Sequence, residues 1–452
     1  MTFVFLSSRH FLKKFLFFIT IFIAYKVIFV AKPSIDQISD HVVTKEAQML
    51  LIPYLKGQGL NNQIWEYRTA AIIARATGRT LCLEPFHKFY LQQSGREFLP
   101  FEELFDVHFF NKYVNSSIGH ECSKACDQKL HSFIELTYTS TNSKINPFSI
   151  PEWRPGSLNK FQRSTGFVKV PIPKGLNINP RKGGVPFDSL SNIKTGFQEV
   201  AHGKCVAVSG PLLELEHEFI LWTKFLRANK AILELKDFIV SNFYSGSSYL
   251  AIHWRLEETK CAGVGVGIGY GRDAKERYAK VGSNKPFKII RKSDNRANLC
   301  FYGVIPSSSP TRIWFRLISK EAIVKWTKRI MSTHGIENLY LATDLKDSSL
   351  LNWIKSEIPV TTKKDIEGFL EKRDFSSDND VLSILEQEIC AEADIFAGTQ
   401  MSSWTERVIE KRFMNQGHIF KRDKSDLLSH PDPSNRTLYF DVEVCACELY
   451  GE

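Results

Sequence analysis

Three short clusters carry the side chains best suited to holding a phosphate-bearing ligand. His253 and Arg255 stand one residue apart at the end of the run Ser-Tyr-Leu-Ala-Ile-His-Trp-Arg. An arginine at the carboxyl end of a buried strand is held by a rigid element, and its planar fork can grip two phosphate oxygens. Arg255 is therefore expected to clamp a phosphate, with pairing to Glu257 or Glu258 as the plain structural alternative. Gly398-Thr-Gln-Met-Ser402-Ser403-Trp404-Thr405 enters a helical pattern, and hydroxyls with free backbone N–H groups at a helix start make an anion site. Gly57-Gln-Gly59-Leu-Asn61-Asn62-Gln63 opens another helical pattern and adds side-chain amides. Asp344 ends the run Asn-Leu-Tyr-Leu-Ala-Thr-Asp and presents a carboxylate where the first run presents its arginine.

These groups need strands that end together and helices that begin beside them. Residues 50–55 read as a strand, 64–77 as a helix and 81–86 as a second strand, so the glycine turn sits in a βαβ opening. The turn lacks the third glycine of a dinucleotide fingerprint, and a tight turn with an Asn cap is its plain reading. Residues 205–209 read as a strand and 216–243 as one or two amphipathic helices. A second series follows: strand at 248, helix 321–331, strand 338–344, helix 383–390, strand 393–398, and a helix reaching about 415. Residues 90–204 are harder to read. Within them 147–186 is rich in Pro, Gly and Asn and looks like a long surface excursion. Residues 261–300, with glycines at 263, 265, 267, 269 and 271, read as a flexible insertion, either a solvated loop or a basic lid over an anionic ligand. Asp378-Asn-Asp380 precedes a helix and reads as a cap rather than a metal site.

At 452 residues the chain exceeds the size at which one core usually stops growing. Its 59 Lys and Arg against 49 acids give a net charge of +10, which suits an anionic substrate. No nucleic-acid motif is present. Arg9, Lys13 and Lys14 precede the apolar stretch 15–31, about 25 Å as a helix, near the lower limit for crossing a bilayer. Lys26 costs about 2.5–3.5 kcal/mol on the insertion scale, less than the surrounding Phe, Leu, Ile and Val contribute in total. The expected topology is a cytoplasmic tail (1–14), a transmembrane signal anchor (15–31), a stem (32–47) and a lumenal body; a cleaved signal peptide is the alternative. Nine cysteines are expected to form disulfides in that compartment, with at least one left over. Asn115-Ser-Ser and Asn435-Arg-Thr are glycosylation sequons.

Taken together, Gly-x-Gly-Leu-Asn-Asn-Gln, His-x-Arg, Ala-Thr-Asp and Gly-Thr-x-x-Ser-Ser-Trp-Thr resemble the motifs of the GDP-fucose protein O-fucosyltransferase family, over about residues 50–417. The resemblance implies an α/β, GT-B-like fold: two Rossmann-like domains, here 48–245 and 246–452, facing a cleft. It implies GDP-fucose as donor, a protein or glycan hydroxyl as acceptor, no cofactor and no metal. By motif, Arg255 and Asn62 would be catalytic. Gly59, Asn61, His253, Asp344, Ser402, Ser403 and Thr405 would join Arg255 in binding the donor. The implied location is the Golgi or endoplasmic reticulum membrane, single-pass type II, with no nucleic-acid partner. Two departures stand out. Gln58 occupies the place where some members carry a glutamate base, and Trp404 replaces the family's Phe. A same-fold transferase with another donor, such as a rhamnosyl nucleotide, and a catalytically silent membrane-tethered binding protein are the competing readings.

Overall fold

The computed structural model describes residues 49–55, 59–88, 96–137, 155–178, 186–210, 215–254, 299–304, 313–318, 320–343, 348–371, 378–399, 402–415 and 436–439. The body from Met49 onward is one compact unit. It opens with β1 (Leu50–Pro53), α1 (Leu60–Thr77), β2 (Thr80–Leu83), β3 (Phe86–His87) and β4 (Phe98–Leu99). Next come the single-turn helices α2 (Phe101–Leu104) and α3 (Val107–Phe110), then β5 (Ser116–Ile118), α4 (Gly119–Ala125), β6 (Ser132–Thr137), α5 (Pro155–Thr165), β7 (Lys174–Asn177), α6 (Leu190–Val200) and β8 (Cys205–Ser209). Helices α7 (Glu216–Phe225) and α8 (Lys230–Tyr244) lead to β9 (Tyr249–Trp254). The remaining elements are β10 (Leu299–Val304), β11 (Ile313–Ile318), α9 (Lys320–His334), β12 (Asn338–Thr343), α10 (Ser348–Glu357), β13 (Val360–Thr362), α11 (Lys363–Glu371), α12 (Asn379–Glu392), β14 (Ile395–Gly398), α13 (Ser403–Asn415) and β15 (Thr437–Tyr439).

Beside the two-stranded antiparallel pairs β3–β4 and β10–β11 stand two larger sheets, in which every strand pairing is parallel. The first runs β5-β2-β1-β8-β6-β7 and the second β13-β12-β9-β14-β15. Parallel strands need crossovers that cover both faces, which explains their near-continuous apolar sequences. Burial follows the two-residue period of a strand. Leu51, Leu81, Val206 and Val208 join Ala251, Tyr340, Ala342 and Phe396 in one core shared by both sheets. Their neighbours face outward: Leu250, Ile252, Leu339 and Ile395 pack in a second cluster, and Leu50, Ile52, Cys82 and Cys205 in a third. In that third layer lie two disulfides, Cys82–Cys122 and Cys126–Cys205, which tie α4 to β2 and to β8. Among the described residues Cys390 is a free, buried thiol.

Three readings are corrected here. Within the presumed excursion 147–186, residues 155–165 form α5 and 174–177 form β7, the outer strand of the first sheet. Pro155 is tolerated because a first-turn N–H has no helical partner, and Pro173 and Gly175 because β7 pairs on one side only. Gly59 is the residue before α1, with φ −56° and ψ 151°. No asparagine caps α1: Asn61 and Asn62 lie inside its first turn. Finally, β10 and β11 form an antiparallel hairpin that the sequence reading missed. The stretch 15–31 lies outside the described residues, among which no helix is long and apolar enough to cross a membrane.

Candidate active site

Counted within the second sheet, the strands run in the order 3-2-1-4-5, so the winding reverses between β9 and β14. Ligands of open α/β sheets bind at such a switch point, outside the carboxyl ends of the strands. His253 lies at that point, in register with Ala342 of β12 on one side and Gly398 of β14 on the other. Threonines from both neighbours hold the backbone there. Thr399 donates its N–H (3.1 Å) and its hydroxyl (3.0 Å) to His253 O. Thr343 Oγ1 donates to Trp254 O at 2.8 Å. The chain is thus fixed as far as the residue before Arg255.

The imidazole of His253 is caged as firmly. Its Nδ1 shares a 2.7 Å hydrogen bond with Thr405 Oγ1, and its ring stacks on Trp404 with centroids 4.0 Å apart and planes 22° from parallel. Thr405 has no exposed surface. It reaches His253 because position 398 is glycine: a Cβ there would collide with Thr405 Cγ2. Trp404 is fixed in turn by its indole N–H, which donates to Ser383 Oγ of α12 at 2.9 Å.

Ser402 stands just before α13, and its carbonyl accepts the first helical bond from Glu406 N at 2.9 Å. The residue is 1% exposed, and its Oγ has no hydrogen-bond partner. A buried hydroxyl left unpaired costs about 1–3 kcal/mol. This one lies beside the unbonded N–H groups of a helix first turn, where the backbone dipole favours an anion. Ser403 is half-buried at the first helical position.

The first sheet supplies the other wall. Its own reversal falls between β1 and β8, and the turn from β1 enters α1. Among the described residues, nothing would lie within 4 Å of a Cβ on Gly59. Asn62 is half-buried in that first turn. Asn61 is buried, and its Oδ1 accepts from Gln387 Nε2 of α12 at 2.9 Å. Gln63 and His87 exchange two bonds, Gln63 Nε2 to His87 O at 2.6 Å and His87 N to Gln63 Oε1 at 2.8 Å. The His87 ring bonds Ser164 of α5 at 2.9 Å; burial, with Lys160 and Arg163 nearby, lowers its pKa to about 4. Asp378 caps α12 through Asp380 N and also pairs with Lys88, which agrees with a capping role.

Farther along α1 the contact with α13 is ionic. Arg68 meets Glu410 at 3.2 Å, with both side chains buried. Arg407 lies over the Phe105 ring at 5.2 Å, and burial lowers its pKa despite Glu388 and Glu410. Gln58, Arg255 and Asp344 lie outside the described residues. The structure therefore brings Gly59, Asn61 and Asn62 into one assembly with His253, Ser402, Ser403 and Thr405. Sequence reasoning missed Ser383, Gln387 and Thr399. Trp404 in place of phenylalanine was the one available signal, because an indole N–H in a buried place needs an acceptor. No group of residues suited to a metal ion occurs among the described residues.

No curated protein matches the chain in sequence. Solved structures do match its fold. The structure of POFUT1 in complex with GDP-fucose superimposes with a TM-score of 0.53 at 14% identity, covering 88% of this chain and 98% of that one. A second crystal form of that complex gives 0.52 at 15% identity, covering 88% and 99%. POFUT1 in complex with GDP gives 0.51 at 15% identity, again covering 88% and 99%. The family model for the GDP-fucose protein O-fucosyltransferases matches residues 51–415. With most of its length covered by that match, the chain belongs to the GDP-fucose protein O-fucosyltransferase family and is a glycosyltransferase.

Proposed function

We propose that this enzyme transfers fucose from GDP-fucose to a hydroxyl group of a protein acceptor, with inversion, at the β9/β14 switch point. As the glycosidic bond breaks, negative charge gathers on the departing diphosphate and positive charge on the sugar ring, so donors aimed at the phosphates accelerate departure. The first-turn N–H groups of α13 and the hydroxyls of Ser402 and Ser403 meet that charge, and Arg255 grips the diphosphate from the end of β9. His253 and Asp344 serve the nucleoside. Thr405 acts through His253, whose ring it orients. Gly59 and Asn62 face the sugar from the α1 side, and Asn61 ties that turn to α12. No metal is called for in this reading, because the arginine and the helix start supply the positive potential. Gln58 cannot accept a proton at neutral pH, so the acceptor hydroxyl is not assigned a base from that turn.

The observation that carries the reading is the buried, unpartnered hydroxyl of Ser402 at the start of α13, beside the switch point. We further propose that residues 15–31 anchor the chain as a type II protein of the Golgi or endoplasmic reticulum, with domains 48–245 and 246–452 in the lumen. The two disulfides support this, since disulfides persist in oxidising compartments. The direct test is fucose transfer and GDP release by purified protein with GDP-fucose, other GDP-sugars and UDP-rhamnose. Folded Arg255→Ala protein should lose at least about 10²–10³ in turnover, as when one oxyanion donor is deleted. Preference for a rhamnosyl donor, or unchanged turnover in the variant, would overturn the reading.

A further inference from the structure

The sequon at Asn115 occupies a distinctive place in the first sheet. β5 is that sheet's outer strand, paired with β2 through Leu81↔Ser116, Cys82↔Ser117 and Leu83↔Ile118. Asn115 stands just before β5 and is exposed, while its backbone is locked: its carbonyl accepts from Leu81 N at 2.9 Å. Its side-chain Nδ2 donates to Thr80 Oγ1 at 3.0 Å. The third residue of the sequon, Ser117, is half-buried and donates to Glu121 Oε2 at 2.9 Å. Cys82, the strand partner of Ser117, forms its disulfide with Cys122 of α4, which begins directly after β5. The sequon thus lies inside a segment whose other covalent bond belongs to an oxidising compartment.

We propose that Asn115 is an N-glycosylation site and that its glycan covers β5, the outer strand of the first sheet. The donor is a polyprenyl-diphosphate oligosaccharide. Asn115 Nδ2 forms the bond to C1 of the first sugar as the C1–O bond to the diphosphate breaks. The lipid diphosphate departs, and one of the two amide protons is lost. The other proton remains to bond Thr80 Oγ1, so modification is compatible with the folded contact. The location has a physical benefit as well: natural sheets cover or blunt their edges, and here the Ser116 N–H is already bonded to Asn111 Oδ1 at 2.9 Å, so a large polar glycan at the head of β5 adds bulk to an edge the chain has begun to close.

This inference rests on the lumenal reading above, and the test separates the two. The full-length chain, with Asn435→Gln and a reporter sequon appended at its C-terminus, is expressed in a eukaryotic secretory host. Peptide mass spectrometry before and after peptide-N-glycosidase treatment then scores both positions. The expected result is glycan at the reporter and at Asn115, with the latter lost in Asn115→Gln and in Ser117→Ala. The Ser117 variant leaves the Asn115–Thr80 contact intact, so loss of glycan there is not a folding effect. A glycosylated reporter with bare Asn115 overturns the site while leaving the lumenal reading standing. A bare reporter together with bare Asn115 overturns both.

Discussion

Asn61 of the first helix accepts a hydrogen bond from Gln387 at 2.9 Å across 326 positions of sequence, with both residues buried. Gln387 lies one turn beyond Ser383 on α12, so the two share a helix face. Ser383 in turn holds Trp404 against His253. One helix face therefore links the turn after β1 to the imidazole at the β9/β14 switch point. The two walls of the site are thus tied by neutral hydrogen bonds in addition to the buried Arg68–Glu410 pair. Gln387→Leu leaves the Asn61 amide oxygen buried without its partner, at about 1–3 kcal/mol, offset in part by removing Gln387 Oε1, which is buried without a partner; a net loss of stability is expected. Denaturant unfolding measures this, and Asn61→Ala combined with Gln387→Leu should cost less than the two separate losses added together.

Trp404→Phe keeps an aromatic face over His253 and deletes only the bond to Ser383. A neutral bond of this kind is worth about 1 kcal/mol, so turnover should fall roughly fivefold. Ser383→Ala should match it, and the double variant should be no worse than either single one. Additive losses in a double-mutant cycle would show that the two side chains act separately.

Thr405→Val preserves shape and removes the hydroxyl that fixes His253 Nδ1. The expected outcome is a cost of about 1–2 kcal/mol in stability together with a drop in kcat of about tenfold or more. A change in stability with kcat and KM unaltered in the folded fraction would make the bond purely structural.

Burial pushes the Glu386 carboxyl up to about 7, against the opposing pull of Lys363 and of a 3.1 Å bond from Tyr340. The folded state then holds a proton that the unfolded chain releases near pH 4.5. Unfolding releases protons in that window, so this group makes stability fall as pH rises from about 4.5 to 7, by up to roughly 3 kcal/mol. Glu84 acts in the same direction: burial raises its pKa well above the usual range, and neither of its oxygens has a partner. Glu386→Gln should flatten the dependence of Tm on pH between 5 and 7 and raise Tm at pH 7.5. A Glu386→Gln protein with the wild-type slope would place the titration elsewhere.

The central strands of the second sheet were legible because they are apolar on both faces, whereas β10, β11, α10, β13, α11 and β15 were not read. The runs ending at Trp254, Thr343 and Gly398 announced three parallel strands, and all three are adjacent in the sheet. The stretch 90–204 was not, because β5 and β7 lie at the sheet edges, where serine, lysine and glycine suffice. Motif spacing singled out His253 and the Ser402–Thr405 helix start, which the structure brings together. It could not reveal that Asn61 and Thr405 bond to other protein groups, since those partners come from distant segments, Gln387 and His253. Gly59 shows the converse: the turn read as one with an Asn cap, while Gly59 itself is the residue before the helix and no side chain caps it.

The most direct test of the account is the sign of two effects in one variant, Ser402→Ala. If the buried hydroxyl waits for a diphosphate, removing it relieves an unsatisfied group in the free protein and deletes a contact in the complex. Thermal unfolding with and without GDP should therefore give a higher Tm for Ser402→Ala in the absence of nucleotide. The GDP-dependent rise in Tm should be smaller, corresponding to binding weakened about tenfold or more. An unchanged or lower Tm in the free variant, with a GDP-dependent rise equal to that of the wild type, would contradict a phosphate site at the start of α13.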